Sequence, residues 1–397
     1  VTTPVPYVQG VQTPAATVQP ALFAQFTRRM RFPAQSPTAI AFGSSNQVQL
    51  KKTGIIASLE VRVAGNVVIG GTIGTTTMGY EWPLNLLKGL KVSVNGQSTL
   101  IDVRGLDLKV NEFMSERDVN DRGVLQRYGN ATAVQQGTLS LSSDNWGATG
   151  AAANFMAPGL NIAAIGTYAV DITYVVPIAA NQVNLIGSVF GQSQATNINA
   201  EFTWGAQTDL FSAVGGAATV SFTGVNFDVT AVAYSVPVVQ GTSILPDLSM
   251  LHGLNHVGLP ITTTGDVELL LPGTGAGRSL LRLYYNVYSG AAPAAVPLVM
   301  NDTNFGNAAY KWGANDVPEI VPSGQKLRAI NERSYNDDIG GAWGYGCWDF
   351  VNEYAARDII DLGQTSDFRL LVNLKNAPTA GVVHVTQETL FSAAVGA

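Results

Sequence analysis

Charge is what this sequence has least of. Only 13% of its 397 residues are Asp, Glu, Lys or Arg, whereas a free globular monomer keeps about a quarter. A surface this short of charge is expected to be covered in large part by other copies or other proteins. The charge present sums to -6, with a pI near 5.1. That balance excludes a groove for nucleic-acid phosphates, which needs concentrated Lys and Arg. Cysteine is nearly absent: the single Cys347 closes no disulfide within the chain, which fits a reducing compartment. No run of about 20 apolar residues occurs, so no helix is expected to span a bilayer. The N-terminal residues lack the basic-then-apolar pattern of a signal peptide, so either none existed or it has been removed.

Groups that carry chemistry are equally scarce. Of the three histidines, His252 and His256 stand four apart. They lack the Glu of a zinc helix and any nearby third ligand, so their expected role is as satisfied polar groups in a packed connector. His384 alternates with Thr386 and Glu388 and is expected to face solvent. No Gly-x-Ser-x-Gly nucleophile turn occurs. Cys347 sits among Trp343, Tyr345 and Trp348 with no basic neighbour to make a thiolate. The loop 272–279 fails as a phosphate loop, with Pro272 where Gly is needed, Arg278 where Lys is needed, and a strand following. Asp337 and Asp338, and Asp302 with Asn301 and Asn304, lack a twelve-residue calcium loop and read as turn carboxylates. No catalytic residue, metal or cofactor is assigned, and the chain is not expected to be an enzyme.

What the sequence has in quantity is short alternating strands broken by Gly, Ser, Asn and Thr loops, the pattern of an antiparallel sandwich. Ala57, Leu59, Val61 and Val63 alternate with Ser58, Glu60 and Arg62, as do Val170, Ile172, Tyr174 and Val176 with Asp171 and Thr173. Asn95-Gly96 predicts a two-residue hairpin. Later strands are expected at 266–271, 280–288, 343–351, 368–374 and 382–391. Residues 103–127 read instead as a helix, through Leu106, Val110, Phe113 and Met114, and residues 323–336 as a second. Glu116-Arg117-x-x-Asn120-Asp121 and Glu332-Arg333-x-x-Asn336-Asp337 share a pattern, each ending the helix that splits a strand-rich half. That placement reads as an internal duplication.

The expected organisation is an N-terminal arm at 1–32, a first unit at 33–237, a connector at 238–262 and a second unit at 263–397. The Pro-rich first 20 residues predict an extended arm. Residues 21–32 read as a short amphipathic basic helix, with Phe23 and Phe26 on one side and Arg28, Arg29 and Arg31 following. It suits an anionic membrane face, although a helix packed on its own unit fits equally well. In the connector Ile244, Leu245, Pro246, Leu248 and Leu251 are too apolar for a free linker and should pin the two units together.

Several stretches carry a family resemblance. They are Arg31-Phe-Pro-Ala with Gly54-Ile-Ile-Ala-Ser-Leu-Glu-Val, Thr173-Tyr-Val-Val-Pro-Ile-Ala, Asn184-Leu-Ile-Gly-Ser-Val, Ile198-Asn-Ala-Glu-Phe and, above all, Ile244-Leu-Pro-Asp-Leu-Ser-Met-Leu. Their order resembles the double jelly-roll major capsid proteins of tailless, membrane-containing icosahedral phages, the tectivirus kind, related to the adenovirus hexon. The resemblance implies an all-β chain of two tandem eight-stranded jelly rolls, each with a short helix inserted before its F strand. It also implies a homotrimer imitating a hexamer, a place in a virion made in the host cytoplasm, and contacts with neighbouring capsomers, minor or penton proteins and an internal membrane. It carries over no catalytic residue. Two rivals compete: an extracellular carbohydrate- or receptor-binding jelly roll using Trp312, Trp343 and Trp348, and an outer-membrane barrel. The two helices, and Pro177 and Pro237 at strand ends, fit the barrel poorly.

Overall fold

In the computed structural model the described residues are 16–96, 98–115, 161–162, 166–181, 184–193, 196–272, 277–290, 295–312, 316–335, 339–351, 359–364 and 367–392. The alternating segments become strands whose apolar side chains turn inward. The first half contains β1 (Arg29–Ala39), β2 (Ser45–Gln49), β3 (Ile55–Met78), β4 (Leu87–Val94), β5 (Ser98–Val103), β6 (Gly166–Pro177), β7 (Ile198–Trp204) and β8 (Phe211–Tyr234). They form two sheets, ordered β1-β8-β3-β6 and β2-β7-β4-β5. Between the sheets lie Leu59, Val61, Val63, Ile172, Tyr174, Phe202, Phe227 and Val229, all sealed from solvent. Asn95 and Gly96 both take positive φ, 54° and 68°, in the β4–β5 turn, but Val94 pairs with Ser98, so the connection is one residue longer than the expected two-residue hairpin.

The second half repeats the plan strand for strand. It contains β9 (Met250–Ile261), β10 (Gly265–Leu270), β11 (Arg278–Ser289), β12 (Phe305–Trp312), β13 (Asp316–Val321), β14 (Gly346–Asp349), β15 (Phe368–Leu374) and β16 (Gly381–Ser392). Its sheets are ordered β9-β16-β11-β14 and β10-β15-β12-β13. Each strand of the first half therefore has its counterpart eight places later, with the same neighbours. Leu283, Tyr285, Phe305, Phe368, Leu370 and Val385 fill the second core.

A helix interrupts each half at the same place. Preceded by α1 (Pro20–Phe26), these are α2 (Gly105–Ser115) after β5 and α3 (Gly324–Tyr335) after β13. With the eight strands lettered B to I in chain order, β5 and β13 are the F strands, so each helix follows F rather than preceding it. Gly105 starts α2 where a Cβ would stand 2.3 Å from the Leu84 carbonyl oxygen; only glycine lets the helix begin so close to the chain below. Residues 116–127 of the expected longer helix, with the first Glu-Arg-x-x-Asn-Asp copy, lie outside the described residues, as do Asn336, Asp337 and Asp338 of the second.

The halves are joined by more than a linker. β5 pairs in parallel with β9 at Ile101↔Leu254 and Asp102↔Asn255, so one sheet of each half continues into the other. This overturns the expected extent of the connector: residues 250–261, Leu251 among them, are strand β9. Gly253, Gly258 and Pro260 hid the strand in the sequence. At Gly253 a Cβ would meet Thr389 Oγ1 at 2.9 Å, so the small residue reflects close strand packing rather than a loop.

Candidate functional site

Two places gather the residues that chemistry would use: the base of the first half, and the seam between the halves. At the base, strand Thr242–Leu245 lies parallel to Ala16–Val18. Phe23, Ile244 and Leu245 are buried together with Ile55, Ala57, Ala179 and Leu185, and Leu248 packs against them. The arm and the connector are thus one small core beneath the first half. Leu251 makes a parallel bridge with Gly187.

The basic helix is not formed. α1 ends at Phe26, Thr27 is already extended (φ -69°, ψ 154°), and no cation lies in its last turn. Arg29 and Arg31 stand on β1, where they alternate outward. β1 is an edge strand that also carries Pro33, whose missing N–H an edge tolerates. Arg31 pairs with Glu60 of β3 at 2.8 Å. Phe26 is 52% exposed, with Arg28 exposed beside it.

The seam is built from the outer face of sheet β9-β16-β11-β14 and the α2 side of the first half. Glu388 on β16 accepts from Arg282 Nη1 at 2.7 Å, His252 Nε2 at 3.0 Å and Asn111 Nδ2 of α2 at 3.1 Å. Arg282 also reaches Asp349 of β14 at 3.2 Å and Ser115 Oγ at 3.4 Å. Deeper in the seam, Arg104 holds Asp107 through both carboxylate oxygens, at 2.9 and 3.0 Å, and Glu81 at 2.8 Å. From the second half the Tyr345 hydroxyl donates to Asp107 Oδ1 (3.3 Å) and the Tyr284 hydroxyl to the Asp107 carbonyl (3.3 Å). Tyr80 meets Trp343 edge-on at 5.6 Å. Tyr284, Leu254, Trp343 and Cys347 consequently belong to the first half's core although they come from the second.

Electrostatics at the seam follow from burial and pairing. Burial alone would raise the Glu388 carboxyl, but Arg282 and then His252 pull it down to about 2. Burial opposes the Asp107 charge too, yet Arg104 holds that carboxyl well below the usual range. His256 Nε2 and His384 Nδ1 are 3.0 Å apart, one donating to the other. Burial lowers His256 to about 4 and, with the Arg104 charge next in weight, His384 to about 2. Both rings are neutral at pH 7.

The expectation that His384 faces solvent is therefore corrected: it is half-buried against His256. Thr386 and Glu388 are each 1% exposed, because the second face of β16 meets the other half rather than water. His252 is buried as a satisfied polar group, also bonding the Pro177 carbonyl at 2.8 Å, but on a strand and not in a connector. Cys347 is a buried free thiol pushed up by burial; its strand is confined to Gly346–Asp349, shorter than expected. Asp302 caps α3 by accepting from Gln325 N at 3.0 Å, and Asn301 Oδ1 accepts from the amides of Thr303 and Asn304, which gives these turn residues a structural role. Among the described residues no group of three or more His, Cys, Asp or Glu is placed to hold a metal ion. Residues 273–276 of the Gly-rich loop lie outside the described set. Trp343 and Trp348 are 0% and 4% exposed, so neither offers a platform for sugar. Apolar side chains point into the sandwiches, the reverse of a lipid-facing barrel.

Similar architecture is found among solved structures. The chain resembles the STIV MCP crystal structure (TM-score 0.62, 15% identity, covering 92% of this chain and 97% of that one). It also resembles the atomic structure of Sulfolobus Turreted Icosahedral Virus (0.63, 14%, 92% and 91%) and the Faustovirus major capsid protein (0.56, 7%, 98% and 92%). The fold is the double jelly roll. No family model and no curated protein matches the sequence. In this double jelly roll the two barrels share one continuous sheet and a buried ionic seam, so they form a single unit.

Proposed function

We propose that this chain is a major capsid protein, a non-enzymatic structural protein that associates as a trimer of six barrels and tiles an icosahedral virion shell. The observation that carries the reading is the seam. The first barrel meets the second through two different surfaces, α2 on one side and the β9-β16-β11-β14 face on the other. A head-to-tail contact of this kind leaves the complementary surface of each end barrel open, and repeating it closes a ring when the rotation allows. Three two-barrel chains then supply six positions. The shortage of charge supports the same reading, since surface that neighbours cover has no need of it.

On this reading the partners are other copies of the chain, then neighbouring capsomers and minor or penton proteins. Contacts between barrels of different copies should bury well over the roughly 2,000 Å² at which permanent interfaces begin. Size-exclusion chromatography with light scattering tests the proposal. The expected mass is three times the 41.8 kDa of the chain, and a stable monomer at micromolar concentration would overturn it.

A further inference from the structure

The seam has an exposed twin. Strand for strand, β3 corresponds to β11, β8 to β16 and β6 to β14. On β11, Arg282 stands directly opposite Glu388 of β16 and also opposite Asp349 of β14, and it forms an ion pair with each. On β3, Arg62 stands directly opposite Asp228 of β8 and bonds Asp171 of β6 at 2.6 Å. The third strand of each barrel thus carries an arginine matched by an acid on the strand to either side. The two sets differ in what lies over them. Side-chain exposure is 10% for Arg282 and 2% for Glu388, against 52% for Arg62 and 24% for Asp171.

The buried set is covered by α2, through Asn111 and Ser115. The second barrel has the equivalent helix, α3, and among the described residues nothing plays for it the part of the face α2 covers. Lys326, Ile330 and Arg333 are exposed along it at helical spacing i, i+4, i+7, with Glu332 alongside. Ile330, 41% exposed, is one of the few large apolar side chains left on the surface. The open face of the first barrel carries three acids, Glu60, Asp171 and Asp228, set among three arginines, Arg29, Arg31 and Arg62. A face of three acids and three arginines and a helix carrying Lys326, Arg333 and Glu332 around an apolar residue offer opposite charges to one another.

We propose that the face of β3, β6 and β8 around Arg62, Asp171 and Asp228 is the docking surface for α3 of a second copy of this chain, in the manner in which α2 covers Arg282 and Glu388 within the chain. This assignment rests on the self-association proposed above and names the surfaces that carry it. It is head to tail: every added copy presents a new α3 and a new open face.

Paired cysteines on the full chain test it. Thr230 lies opposite Glu60 on β8 and points outward between the buried Val229 and Ala231. A chain carrying Thr230→Cys with Ile330→Cys, and a second carrying Asp228→Cys with Ile330→Cys, are treated with a short bis-maleimide, beside each single substitution. Light scattering is recorded on the same samples. The expected result is covalent dimers and trimers from at least one double variant and none from the single variants. Trimers by light scattering with no linkage in either double variant overturn this docking surface and leave the trimer standing. Monomers of the unsubstituted chain overturn the reading beneath it.

Discussion

The outer face of the second barrel's β9-β16-β11-β14 sheet and the matching face of the first barrel carry the same arrangement of an arginine between two acids, one sealed and one open. What separates them is the cover, and the cover sets the energetic weight. A buried ion pair loses water on both sides, so removing one partner leaves an uncompensated charge in a poor solvent and costs about 3–5 kcal/mol. The same pair in water contributes about 0–1 kcal/mol, because solvent screens it and two long side chains must be held still. A sequence motif therefore has no fixed worth.

Breaking the sealed set gives the largest expected effect. Glu388→Ala strands Arg282 and His252 beneath α2 and should lower unfolding free energy by about 3–5 kcal/mol, read from denaturant midpoints. Next in size is acid. His256 titrates near 4 in the fold against about 6.5 in an unfolded chain, so the unfolded state takes up its proton first as pH falls. The stability that the neutral ring contributes is present above 6.5 and is lost as pH falls from there towards 4, by about 3 kcal/mol for that one group. Glu388 adds a loss of the same sign below pH 4.5, as it falls towards about 2. Thermal unfolding should drop steeply between pH 7 and 4, and His256→Phe should flatten that slope; a melting temperature constant over the range would contradict the buried neutral pair. Smallest is Asp228→Ala on the open face, with under about 1 kcal/mol lost from the dissociated chain. Equal losses from Glu388→Ala and Asp228→Ala would erase the distinction between the two faces.

The same contrast explains what could be read from the residues and what could not. β6 and β15 were legible because one face meets core and the other meets weaker cover, so Val170, Ile172, Tyr174 and Val176, or Phe368, Leu370 and Val372, alternate cleanly. β16 misled because His384, Thr386 and Glu388 alternate just as cleanly. A polar side chain facing a polar seam looks, in sequence, like one facing water. The duplication was legible in its plan, strands then helix then strands, while the shared arginine–acid set became visible only once register placed Arg62 opposite Asp228 and Arg282 opposite Glu388. The three arginines after Phe26 were read as the basic end of a short amphipathic helix, and the edge strand that takes Arg29 and Arg31 instead is fixed by pairing with β8, distant in sequence, by register Tyr234↔Arg29 and Val232↔Arg31. Long-range pairing of this kind leaves no local trace.

Particle images of the purified full chain test the central claim most directly: that one barrel plan, used twice and joined head to tail, is completed by further copies through the same contact. Negatively stained class averages should show closed rings of six barrel-sized lobes built from three chains. Isolated two-lobed particles at micromolar concentration, or pairs related by a two-fold axis, would contradict it.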